Sequence, residues 1–451
     1  MIFNLILNKF SERSPITVMV QGLLERLLNA DKIDRWFNAT ADVQYTKKIL
    51  FSSLVSIMLE VVCRVRDSIY SSYINSNIDA SRQAVYEKLQ NTETKTSQSI
   101  VRYIGSESAS IINEMKATQP PLVAKLKTKF LDGNCIEASE KRLQVLRNTK
   151  AGALPGKSLV VFDQETNLII DVFLCEDGHA QERSLLPSVI ETIKVDELWC
   201  ADRNFCVLNF LFGLHNKKAY FVIRQHASTP YISLSDKVFI GNSETGKVYE
   251  QRVRIKLDEK EIDLRRIIVE LKKPTRNGDK ELCLFTNLPD DKADAIKVAH
   301  IYSKRWSIET AFQKLEKYLN SEINSLAYPK AALFGFCMAL VAFNLYAVVM
   351  AAIQAAHPDK NIHDEVSDYY IAKEISNTLN GMNLVVEQED WMPLVNCSLT
   401  EFCCFLLSLA SNIELRKLKK HKRGPKKQPL PKTEHKGKPH VSTARLLSLC
   451  K

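Results

Sequence analysis

The chain has 451 residues, 45% hydrophobic and 25% charged, which is enough for two or three domains and excludes general disorder. Gly (14) and Pro (15) are scarce, which excludes collagen-like and low-complexity chains. The formal net charge is +10, yet residues 411–451 alone hold 13 Lys/Arg against Glu414 and Glu434, so the basicity belongs to the C-terminal segment.

From the N-terminus, residues 1–118 are predicted to be helical. Leu23, Leu24, Leu27 and Leu28 recur at helical spacing, and a second apolar stretch covers Ile49 to Val62. MIFNLILNKFSERS lacks a basic n-region and a small-residue cleavage site, so no signal peptide is expected. Asn75 to Ala80 followed by Ser81 to Gln90 has the pattern of a turn leading into a DNA-recognition helix. Ser81 would cap that helix, with Arg82, Gln83 and Lys88 facing outward; an ordinary amphipathic helix has the same pattern.

Pro120-Pro121 ends the helical character. Lys127 to Asp132 is predicted as a strand ending in Asp-Gly-Asn, and Ser158–Asp163 and Asn167–Leu174 as two strands joined by a turn. A helix near Ser184–Ile193, a strand Glu197–Asp202, a helix Cys206–Leu214 and a strand Ala219–Arg224 follow. Three meandering strands and two helical crossovers make the order of a ribonuclease H-like mixed α/β sheet. In that topology the first and fourth strands are neighbours, placing Asp132 and Asp202 side by side at the ligand-binding end of the sheet.

Residues 225–289 alternate polar and apolar side chains and are predicted as a β-rich insertion, after which 290–356 returns to the ribonuclease H-like core begun at 119–224. Ile308, Phe312, Leu315, Leu319 and Ile323 mark a helix. Ala331 to Ala356 is free of charge for 26 residues, long enough to span a membrane. Its alanine content, Asn344 and Gln354 favour a buried core helix, and no membrane partner is expected. A helical region is expected over 357–415, then a basic, Pro-interrupted segment, 416–451. Its Lys419, Lys420, Lys422, Arg423, Lys426 and Lys427 are candidate phosphate contacts. His421, His435, His440 and Cys450 fit no standard zinc spacing. Eleven cysteines without a CxxC pair suggest reduced thiols and a cytoplasmic protein.

Tyr302-Ser-Lys-Arg305-Trp306-Ser-Ile-Glu309 puts Tyr302, Arg305, Glu309 and position 316 on one face of a continuous helix, with Trp306 expected in the core. Glu309 with Arg305 also fits a structural ion pair. With Asp132 and Asp202, however, Glu309 completes a set of hard oxygen donors suited to two Mg²⁺ or Mn²⁺ ions, the set that phosphodiester chemistry needs. His179, Gln181, Glu182 and Arg183 lie at the same sheet end, as supporting groups, DNA contacts or an ordinary polar loop.

These three acids resemble the DDE triad of bacterial insertion-sequence transposases, and the Tyr302-xx-Arg305-xxx-Glu309 run resembles the Tyr-x2-Arg-x3-Glu-x6-Lys signature of the insertion sequence four family. Cys175–Arg183, Tyr328–Phe334 and His440–Leu447 also look like members of that group. The resemblance implies a transposase that cuts its element's inverted-repeat ends with divalent metal and joins them to target DNA. It also implies a synaptic homodimer and a bacterial, nucleoid-associated setting. Tyr302 and Arg305 would hold phosphates at the scissile bond. The signature lysine falls on Glu316, with Lys317 one step further round as a substitute DNA contact. The aromatic that holds a flipped base in hairpin-forming relatives has Tyr231, Phe239 and Tyr249 as candidates. An inactive DNA-binding derivative and a nuclease without strand transfer are the alternatives.

Overall fold

A computed structural model describes residues 5–43, 48–136, 139, 143–275, 278–421 and 439–449. Seven helices open it: Leu5–Arg13, Pro15–Leu27, Ala30–Thr40, Phe51–Val62, Ile69–Ile74, Arg82–Gln90 and Thr94–Glu114. Their starts follow local chemistry. Pro15 opens the second, and the Asn29, Ser68 and Ser81 side chains accept the backbone N–H groups of Asp31, Ser71 and Ala84.

The strands are β1 (Lys127–Cys135), β2 (Gly152–Leu154), β3 (Lys157–Asp163), β4 (Leu168–Cys175), β5 (Glu197–Ala201), β6 (Tyr220–Arg224), β7 (Ile232–Ser233), β8 (Val238–Asn242), β9 (Gly246–Leu257), β10 (Lys260–Leu271), β11 (Glu281–Thr286) and β12 (His440–Ser442). Ten of them form one sheet in the order β4-β3-β1-β5-β6-β11-β10-β9-β7, with β8 also on β9. The first five are the ribonuclease H-like arrangement: β3 and β4 run antiparallel to β1, while β5 and β6 add in parallel through the helices Leu186–Thr192 and Leu208–Asn216. Residues 225–289 extend this same sheet, because β11 pairs antiparallel with β6.

Period-two alternation sorts the strand side chains onto two cores. Phe130, Val160, Leu198, Cys200 and Val222 face the N- and C-terminal helices. Leu131, Val161, Trp199, Ala201 and Phe221 face the two crossover helices. The helix Pro329–Ala356, charge-free from Ala331 onward, is the centre of the first core, packed against Phe51–Val62, Thr94–Glu114, Leu399–Ser411 and β4. Among the described residues it is the one helix apolar and long enough to cross a membrane, and 89% of its most apolar window is buried inside the protein. Its one buried polar side chain has a specific partner. Asn344 Oδ1 accepts from Ile169 N at 2.8 Å and its Nδ2 donates to Ile169 O at 2.7 Å, covering the open edge of β4 beside a bulge.

Candidate functional site

The parallel register pairs Leu131 of β1 with Ala201 of β5, so the next residues, Asp132 and Asp202, are neighbours. Alternation puts both on the face of Phe130 and Cys200, toward the helix Trp306–Tyr318. The expected strand end differs in detail. β5 stops at Ala201, whereas β1 continues through Asp132 to Cys135 because β3 still pairs with it. Asp132 therefore lines the crevice left where β5 ends. Asp202 turns the chain, its Oδ1 accepting from Asn204 N at 2.7 Å.

Tyr302 lies on the helix Ala295–Lys304 and Glu309 on Trp306–Tyr318, with Arg305 at their junction in helical conformation. The two helices thus behave as one slightly broken helix. Arg305 is 6% exposed. Its Nη1 donates to Asp132 Oδ2 at 2.9 Å and its Nη2 to Glu309 Oε1, so one guanidinium bridges two of the three acids. Its Nε is buried without a hydrogen-bond partner.

Burial pushes the Asp132 carboxyl up to about 7; Arg305 opposes this, while the nearby Asp202 and Glu309 charges reinforce it. Burial also pushes the Tyr302 hydroxyl up to about 12, so it stays protonated. Arg305 is raised instead: burial disfavours its charge, but Tyr302, Asp132 and Glu309 outweigh burial.

These features fit a divalent cation. The donors are hard oxygens, two carboxylates raise the proton affinity of the third, and a cationic group already lies between Asp132 and Glu309. Among the described residues no three His, Cys, Asp or Glu side chains form a ready cation cage, and Arg305 pairs with both Asp132 and Glu309.

The remaining candidates divide. Trp306 is 60% exposed, contrary to the expected core position, since Ile308, Ala311 and Leu315 take the buried stripe of that helix. Its ring lies 5.8 Å from the Arg305 guanidinium. Position 316 leads elsewhere, with Glu316 lining a cavity of about 140 Å³ beside Asn134, Cys135 and Glu322. Lys317 is exposed, its ammonium 5.1 Å from the Tyr318 ring. Ser81 caps its helix as expected, and Arg82 and Gln83 are exposed. Lys88 is a correction: half-buried, it lies across the Phe37 ring at 5.5 Å, because the helix packs that face inward. Burial lowers its pKa.

Phe239 is exposed and edge-on to Tyr249, and Tyr231 packs edge-on to Phe285. Phe239 and Tyr249 belong to β8 and β9; β9 is four strands from β5, roughly 19 Å of sheet. Lys419 and Lys420 are exposed beside the helical domain, with Lys420 N bonded to Glu365 O at 2.7 Å. Lys422, Arg423, Lys426 and Lys427 lie outside the described residues. Past them the chain is anchored again: β12 pairs in parallel with β2, Arg445 Nε donates to Asp177 Oδ2 at 2.6 Å, and His440 meets His179 at 3.1 Å. The ten described cysteines are free thiols.

The ribonuclease H-like sheet, with Asp132 beside Asp202 and a buried arginine joining Asp132 to the helical Glu309, forms the central part of the chain. Within it, residues 130–345 match the family described as transposase DDE domain, which contains all three acids and supports a DDE transposase. No curated protein matches the chain.

Proposed function

We propose that the chain is a DNA transposase of the insertion sequence four group. In this reading it cuts the inverted-repeat ends of its own element and joins the 3′ ends to target DNA. The observation that carries the reading is the pairing of Asp132 with Asp202 and the Arg305 bridge from Asp132 to Glu309, within a stretch that matches the transposase DDE domain.

Asp132, Asp202 and Glu309 would hold two Mg²⁺ or Mn²⁺ ions. Bound there, such ions supply charge neutralisation at the phosphate and an acidified water or hydroxyl. The chain's own groups do the rest. Arg305, with its Nε unpaired, can turn its fork toward a phosphate once the acids are otherwise neutralised. Tyr302, protonated throughout the working pH range, can donate its O–H to a phosphate oxygen. The exposed Trp306 beside them offers a stacking face for a base.

The helices of 1–118 would recognise the element ends, 119–224 with 290–356 would cut, and the basic 416–451 segment would hold phosphates. Two ends handled together imply a homodimer in the synaptic complex, and DNA as partner implies the bacterial cytoplasm and nucleoid. A repurposed, non-cutting DNA-binding relative is the second reading, favoured by Glu316 standing where the signature has lysine.

The test uses the repeats flanking the gene, incubated with the full chain and Mg²⁺ beside Asp132→Ala, Asp202→Ala and Glu309→Ala. Cutting at the repeat boundary by the native chain alone is expected. Binding without cutting, even with Mn²⁺, selects the second reading, and joining to a second duplex separates transposase from nuclease.

A further inference from the structure

Asp132 stands on β1 and Asp202 just past the end of β5, and one further carboxylate touches the supports of both. Glu182 lies on the segment between β4 and the helix Leu186–Thr192. Its Oε2 accepts from Asn204 Nδ2 at 2.8 Å. The Asn204 backbone N–H is the group that holds Asp202 Oδ1, and Arg183 Nε donates to Asn204 O at 2.7 Å. On its other side the Glu182 carboxyl packs onto Gly133. A Cβ at Gly133 would stand 2.4 Å from Glu182 Cδ and Oε1, closer than real contacts allow. The Gly133 backbone N–H in turn donates to Asp132 Oδ1 at 2.9 Å. Among the described residues Glu182 forms no ion pair.

We propose that Glu182 is a positioning residue that couples the two aspartates, wedged between Gly133 and Asn204 so that Asp132 and Asp202 keep one separation. This rests on the metal-binding reading of those aspartates. A Cβ at Gly133 would then push the Glu182 carboxyl out of this position. The role is one of shape and hydrogen bonding, so an amide of the same size can serve.

The experiment titrates the free full-length chain with Mn²⁺ by calorimetry, with thermal denaturation and element-end cleavage measured in parallel. Groups that orient metal ligands typically change affinity by about 10–100-fold. Glu182→Ala is therefore expected to raise the half-saturating Mn²⁺ by about tenfold or more, with little change in melting temperature. Glu182→Gln should stay within about threefold of the native chain on the same scale. Gly133→Ala should resemble Glu182→Ala, and the double variant should be no worse than either single one, because both remove the same wedge.

Native Mn²⁺ affinity in Glu182→Ala, or a Gln variant as weak as the Ala variant, overturns the proposal. Additive losses in the double variant overturn it too. Asp132→Ala separates the failures. If Asp132→Ala abolishes Mn²⁺ binding and Glu182→Ala does not change it, the positioning role alone falls. If neither changes it, the metal reading falls and the positioning role with it.

Discussion

Asp132 is the residue whose chemistry depends most on where the fold puts it. Its folded-state pKa of about 7 lies well above the ordinary 3.8, chiefly through burial. The native state therefore retains a proton that the unfolded chain has already released, and the stability this proton confers is lost as pH rises through about 7. In chelator, the native chain should melt at lower temperature at pH 8 than at pH 6, whereas Asp132→Asn should lose this part of the dependence; identical pH profiles would refute the assignment. Since a ligating carboxylate must be deprotonated, Mn²⁺ affinity should rise by up to about tenfold per pH unit below this pKa and level off above it, which calorimetry at several pH values reads directly. Trp306 allows a different separation. It is exposed, so Trp306→Ala should change stability by no more than about 0.5 kcal/mol. Loss of base stacking should nonetheless weaken binding of element-end DNA by about 1–3 kcal/mol, measured by mobility shift. The sequence placed Trp306 in the core because a large aromatic usually belongs there. The neighbouring Ile308 stripe took that place, and side-chain direction at a helix junction is decided by packing.

At the scale of elements, the helix Pro329–Ala356 shows how a sequence pattern and a fold can answer different questions. A charge-free run says that the helix avoids water and leaves open whether lipid or protein surrounds it. Its Asn344, bonded twice to the backbone of Ile169, ties the helix to the sheet edge. Gly105 of the neighbouring helix supports the same edge, since a Cβ there would approach Ile169 O to 3.0 Å. Asn344→Leu removes the partner of one N–H and one C=O and should cost at least ~2 kcal/mol in chemical denaturation. A neutral effect would mean that the edge of β4 finds other partners. Strand positions were legible to within a residue or two, as at Glu197–Ala201, because alternation and flanking polar residues mark them. The extra strand residues of β1 beyond Asp132 were not, since they exist only because β3 lies alongside.

For the molecule as a whole, the basic C-terminal segment joins two anchored points. Leu418 and Lys420 bond to the helical domain, and His440–Ser442 pairs with β2 close to the loop that carries Asp177 and Glu182. Under the transposase reading its cations contribute to DNA affinity through counterion release. Replacing Lys422, Arg423, Lys426 and Lys427 with Gln should reduce the slope of log affinity against log salt by up to about 4, without changing melting temperature. An unchanged slope would remove this segment from the DNA interface.

The chain by itself determined the order of strands and helices, the three acids and the helical spacing of Tyr302, Arg305 and Glu309, because these follow from periodicity, turn residues and the chemistry of side chains. Tertiary structure alone decided what the acids meet. It set Arg305 between Asp132 and Glu309, buried Asp132 until its proton affinity rose, turned Lys88 onto Phe37 and Trp306 outward, and wedged Glu182 against Gly133. The contacts of Arg305 with Asp132, Lys88 with Phe37 and Glu182 with Gly133 join segments far apart in the chain, where burial and charge depend on neighbours that local spacing does not encode.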